Sequence, residues 1–137
     1  RKRDLRILGI DYGDVRTGIA VSDPTGMIAT GLKTIVTKDM NELIDQIKGV
    51  IQEYKPEKIV VGFPKNMNGT LGLRAEKTQK FIDCLIEQTG LTVIKWDERL
   101  SSVMAHRTLH DKGKSPSRNK EAVDRIAACY ILQSYLD

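Results

Sequence analysis

The sequence predicts an α/β domain built on a mixed five-stranded sheet, an antiparallel meander followed by parallel strands, with helices on both faces. Three observations carry this expectation. Two apolar runs, 5–11 and 17–22, are joined by a short turn at Tyr12-Gly13 and followed by a loosely alternating stretch at 26–36, the pattern of an antiparallel meander. Further along, helical periodicity and short buried apolar runs take turns at 58–63 and 91–96, the succession expected of βα units with parallel strands. A chain of 137 residues is long enough for one core and too short for two, so one domain spanning 1–137 is expected.

Each element has a local reason. The first strand ends on Asp11, and Thr17 to Ser22 forms the second. Asp23-Pro24-Thr25-Gly26 has the turn chemistry of a hairpin leading into the third. Asp39 can cap a helix with Glu42 three residues on, and Met40, Leu43, Ile44, Ile47, Val50, Ile51 and Tyr54 recur at helical spacing until Pro56 ends it. Lys58 to Phe63 reads as a short buried strand. A helix near 73–89, stopped by Gly90, leads into the strand 91–96. Ser101 caps a short helix to about His110, and Asp111 to Ser117 reads as a mobile basic loop. The last helix starts at Asn119 or Lys120 with the stripe Val123, Ile126, Ala127, Tyr130 and Ile131. At about 100° per residue, Asp124 lies on the flank of that stripe, within reach of the sheet's edge.

Composition narrows the function classes. No apolar run approaches the ~20 residues of a membrane span, and the start at Arg1-Lys2-Arg3-Asp4 leads into a strand, so a cytoplasmic protein with no membrane partner is expected. Cys84 and Cys129 lack metal-like spacing and fall among apolar helical neighbours, as buried reduced thiols would. The net charge is +4, and all of it lies between Arg99 and Arg125, where seven Lys or Arg face three acids; the rest of the chain carries fifteen of each sign. That segment suits a polyanionic partner.

Acids stand at three places where regular elements present them: Asp11 at a strand end, the Asp97-Glu98 pair closing a later strand, and Asp124 on the last helix. Strand ends in open α/β sheets are where side chains leave the core and meet ligands. Two unit negative charges about 4 Å apart repel by roughly 4 kcal/mol at an effective dielectric near 20, so converging acids call for cations. Hard oxygen donors facing a phosphate ester favour Mg²⁺ or Mn²⁺ over zinc. His106 and His110 have helical i, i+4 spacing, but no Glu follows His106 as in the zinc-protease pattern.

Five strings occur in order: Gly9-Ile10-Asp11-Tyr12-Gly13; Arg16 to Asp23; Gly62 to Thr70; Asp97-Glu98-Arg99-Leu100-Ser101; and Lys120 to Ala128. Together they resemble the successive motifs of the YqgF family, within the ribonuclease H-like superfamily, over nearly the whole chain. The resemblance implies a bacterial metal-dependent nuclease, assigned both to 5′-end processing of precursor 16S rRNA and to Holliday-junction (branched DNA) resolution. It places the catalytic and metal-holding acids on Asp11, Glu98 and Asp124, with Asp97 as the alternative second acid. Asn68 departs from the pattern, where the family loop more often shows Asp.

On this reading Asp11 bridges two metal ions while Glu98 and Asp124 each hold one, a two-metal arrangement for in-line displacement. Arg16, Lys65, Asn66, Arg74, Arg99, Arg107 and Arg118 are the candidate nucleic-acid contacts. Precursor rRNA, on its own or in ribosomal particles, is the favoured partner; monomer or dimer, endonuclease or exonuclease, stay open. Two other classes share features of the sequence. A Gly-Ile-Asp-x-Gly turn also opens sugar-kinase and actin-type ATPases, which close two such domains on a nucleotide, and ATP binding would reveal that class. A non-catalytic RNA- or ribosome-binding module would keep the basic surface and bind no divalent metal.

Overall fold

Strand alternation divides the sheet into two unlike faces, and that division positions every residue considered below. The computed structural model describes residues 4–64, 69–97 and 101–137. Strands β1 (Ile7–Asp11), β2 (Arg16–Ser22), β3 (Ala29–Val36), β4 (Lys58–Phe63) and β5 (Val93–Asp97) form one sheet in the order β3-β2-β1-β4-β5. β1 pairs antiparallel with β2, and β2 with β3, while β4 lies parallel to β1 and β5 parallel to β4. The predicted mixed sheet is therefore present.

One face carries large aliphatic side chains. Leu8, Ile10, Ile19, Val21, Ile35, Ile59 and Val61 meet α1 (Met40–Tyr54) and α2 (Gly69–Thr89) there, through Leu43, Ile44, Ile47, Val50, Phe81, Ile82 and Leu85. Asp39 caps α1 as expected, its carboxylate accepting from the Asn41 N–H at 2.9 Å. The helix ends at Tyr54, and Lys55 takes a left-handed conformation (φ 50°) before Pro56.

The opposite face carries glycines and alanines at its β1–β2–β3 end, beside the larger Ile7, Val60, Ile94 and Trp96, and receives α4 (Lys120–Leu136), which lies across β1, β2 and β3. Ala20, Ala29 and Val60 meet Ala128, Ile131 and Leu132 there. Two glycines set the approach. A Cβ at Gly9 would come 2.6 Å from the Leu132 Cβ, and one at Gly18 would come 1.9 Å from the Asp124 carbonyl oxygen. Only bare backbone on the strand lets the helix descend this far. The short helix α3 (Ser101–Asp111) packs outside α4 through Ala105, Leu109, Val123 and Ala127.

Several boundaries differ from the sequence expectation, β1, β2 and β3 beginning at Ile7, Arg16 and Ala29 instead of 5, 17 and 26. Helix α2 begins at Gly69, ahead of residue 73, and runs through Gly72 despite the poor helix propensity of glycine. β5 runs from Val93 to Asp97, starting after and ending beyond the expected 91–96. Within the predicted loop after α3, Pro116–Arg118 forms a single 3₁₀ turn. Cys84 also differs: it is exposed, because it sits off the Phe81, Ile82, Leu85 stripe of α2, while Cys129 is half-buried and both thiols are free. No helix among the described residues is long and apolar enough to cross a membrane.

Candidate active site

Asp11 is the last residue of β1 and has the parity of Ile7 and Gly9, so it belongs to the face that α4 covers. It is a buried acid, 9% exposed. Its register partner across the antiparallel pair is Gly18, the residue whose absent side chain admits the Asp124 backbone. One strand position thus joins the two acids: Asp11 stands beside Gly18, and Asp124 stands over it. Tyr12, the next residue, turns to the other face and stacks on Phe81 of α2, with ring centroids 4.5 Å apart and 9° between planes.

Asp124 is half-buried, and Arg16 at the start of β2 donates to it from Nε at 2.8 Å. Burial raises the pKa of this carboxyl above the ordinary aspartate value even though the guanidinium pulls the other way. A carboxylate left short of positive charge beside an arginine is suited to a further cation. Asp11 supplies a second hard oxygen donor on the same face, so the chemistry of this pair suits a hard divalent cation. Among the described residues no group of three or more acidic, His or Cys side chains gathers as a metal cage. Glu98, the expected third acid, lies outside the described residues.

Basic side chains surround this point. A cavity of about 520 Å³ is lined by Arg16, His106, Ser117, Lys120, Val123 and Asp124. A neighbouring one of about 530 Å³ carries Arg118, Lys120 and Arg125 along with Arg16. On the other side of Asp11, Arg74 donates to the Tyr12 carbonyl at 3.2 Å and lines a cleft with Tyr12, Gly13, Asp14 and Lys77.

Comparison with known proteins gives this geometry a family. Residues 5–137 match the RuvX family model, described as a Holliday junction resolvase. The chain belongs to the RuvX family. The YqgF resemblance seen in the sequence is this same relationship. Among RuvX relatives, a protein of Acetivibrio thermocellus named "Putative pre-16S rRNA nuclease" is 51% identical over 97% of this chain and 96% of its own length. One of Clostridium tetani with the same name is 48% identical over 97% and 96%. Among solved structures, Thermus thermophilus RuvC in complex with a Holliday junction substrate superposes with a TM-score of 0.61 at 15% identity, covering 96% of this chain and 93% of its own. The Fowlpox virus resolvase gives 0.55 at 11% identity, covering 96% of each chain. The RuvX chain accordingly has the ribonuclease H-like fold.

Of the candidate contacts, Arg16 pairs with Asp124, Arg118 shares the neighbouring cavity with Arg16, and Arg74 stands beyond Asp11. Arg107 is exposed on α3 and lines neither cavity beside Asp124. Lys65, Asn66 and Arg99 lie outside the described residues. The sequence did not single out Lys120 as a contact, and His106 was weighed only against a zinc pattern that it does not complete. Both line the Asp124 cavity, and the signal for His106 was its place on a helix that must pack against α4.

Proposed function

We propose that this RuvX-family chain is a cytoplasmic, divalent-metal-dependent nuclease, one domain over 1–137, that hydrolyses phosphodiester bonds in 5′-end processing of precursor 16S rRNA. The observation that supports the reading is the close approach of the backbones that carry two acids from opposite ends of the chain: Asp124 lies over Gly18, and Gly18 is in register with Asp11. The substrate follows relatives about half identical to this chain and named for that activity.

Asp11, Glu98 and Asp124 would hold the Mg²⁺ or Mn²⁺, which when bound supplies positive charge at the phosphate and a lowered pKa for an attacking water. Asp97 shares the parity of Val93 and Lys95 and pairs with Phe63, on the α2 face. That parity sets Asp97 on the face opposite the one Asp11 belongs to, which counts against Asp97 as the second acid. The protein's own residues do the rest. Arg16, Lys120 and Arg118 line a basic approach beside Asp124 that suits phosphates flanking the scissile bond, and Arg74 lines another beyond Asp11. Water adds across one P–O bond, leaving a phosphate on one fragment and a hydroxyl on the other. The half-buried setting of Asp124 thins the water there and strengthens each charge interaction.

The experiment is a side-by-side cleavage assay with Mg²⁺ or Mn²⁺ on a precursor 16S leader RNA and on four-way DNA junctions. Cleavage of the RNA by the wild-type protein, with none by a folded Asp11→Asn variant, is the expected result; undiminished turnover in that variant would remove the site assignment. The family description favours a second reading, resolution of branched DNA. Symmetric junction cutting needs two active sites, so junction cleavage by a dimer, with the RNA spared, would establish that reading instead.

A further inference from the structure

We infer that Arg16 is a resident counter-cation, competing with the metal ion for Asp124 and holding that acid in place until a metal enters. The inference rests on the reading of Asp124 as a metal-holding acid. Three observations carry it.

The contact is made by Arg16 Nε and a single carboxylate oxygen, Oδ2, at 2.8 Å, so the terminal guanidinium nitrogens and the second oxygen stand outside it. A bidentate fork would be harder to open. The partners are unequally placed: the Arg16 side chain is 37% exposed and the Asp124 side chain 18%. The acid is fixed on a helix that the glycine seam presses against the sheet, whereas the arginine begins a strand and borders both basic cavities. The guanidinium therefore has room to leave without unpacking the core. A divalent ion beside Asp11 and Asp124 adds two positive charges where Arg16 supplies one, and like charges so close repel. The second oxygen, Oδ1, stays open to a metal, so the competition comes from the repulsion between the two cations held on one carboxylate.

This differs from a purely structural role. If Arg16 only oriented Asp124 for the metal, its removal would weaken metal binding. If it competes, its removal strengthens metal binding while no nucleic acid is present.

The test is Mn²⁺ binding to the nucleic-acid-free protein, followed by the electron paramagnetic resonance signal of unbound Mn²⁺. Arg16→Gln should bind Mn²⁺ about fivefold more tightly than wild type, the scale of a partly exposed ion pair. Arg16→Lys, which keeps the charge, should match wild type, and Asp124→Asn should bind at least about tenfold more weakly, as loss of a metal ligand or its support does. Unchanged or weaker binding by Arg16→Gln, with Asp124→Asn still weakened, would overturn the competition and leave the metal site standing. Equal tightening in Arg16→Lys would overturn it as well, because charge would not be the cause. Unchanged binding in Asp124→Asn would instead remove the metal reading beneath it.

Discussion

The two faces of the sheet solve the same packing problem in opposite ways. Toward α1 and α2 the strands offer Leu8, Ile10, Ile19, Ile59 and Val61, and the gap between layers is filled by aliphatic volume. Toward α4 the strands offer Gly9, Gly18 and Ala20, and the gap is closed by bringing helix backbone down to strand backbone. Volume can be redistributed among side chains, so the first face tolerates some change in shape. The second face has no slack, since a single added carbon meets a carbonyl. It is also the face that holds both described acids. Close approach here brings the α4 backbone at Asp124 down onto Gly18, the register partner of Asp11 at the end of β1.

The contrast can be broken or sharpened by substitution. Leu8→Ala, on the aliphatic face, should lower stability by about 2–5 kcal/mol in urea unfolding, with cleavage per folded molecule kept. Retained stability would mean that this face is not the main core. Gly18→Ala should cost less stability, about 1–3 kcal/mol, yet lose most cleavage, because the helix carrying Asp124 must shift away from Asp11. Wild-type activity in that variant would show that the close approach has no functional consequence.

Two carboxylates extend the comparison with opposite signs of pH dependence. Burial raises the pKa of Asp124, so its ionised form opposes folding. The stability tied to its proton is present below the unfolded value and is lost as pH rises through the folded value. Asp124→Asn, whose amide can still accept from Arg16, should therefore melt higher than wild type at pH 7 in chelator, the gap closing below about pH 4. A lower melting temperature at pH 7 would contradict the desolvation argument. Asp23, in the β2–β3 hairpin, is the reverse case. The Thr25 hydroxyl and the N–H groups of Ile28, Met27 and Thr25 hold its carboxyl far below the usual range. Its contribution is present above the unfolded value and lost as pH falls. Asp23→Ala should be slightly less stable at neutral pH, with the difference fading below about pH 4; a constant offset across pH would argue for a loss other than charge.

The elements themselves were legible because their causes are local. Asp39 caps, Pro56 terminates, Gly90 stops, and the periodicity from Met40 to Tyr54 needs only neighbours a turn apart. Asp11 and Asp124 were legible as candidates because each sits at a marked place on its own element. What joins them was not. Gly9 and Gly18 look like ordinary strand glycines until the helix from the far end of the chain lies on them. The Arg16–Asp124 pair has the same long-range origin, and so does the place of His106 in the Asp124 cavity. Cys84 went the other way: its neighbours in sequence are apolar, but the buried stripe of α2 passes it by.

The most direct measurement is the anomalous diffraction of manganese in crystals of the wild-type protein. The convergence of β1 and α4 predicts a peak within about 2.0–2.3 Å of carboxylate oxygens from both Asp11 and Asp124, as expected for a small hard cation. A manganese ion bound to only one of them, or to neither, would contradict it.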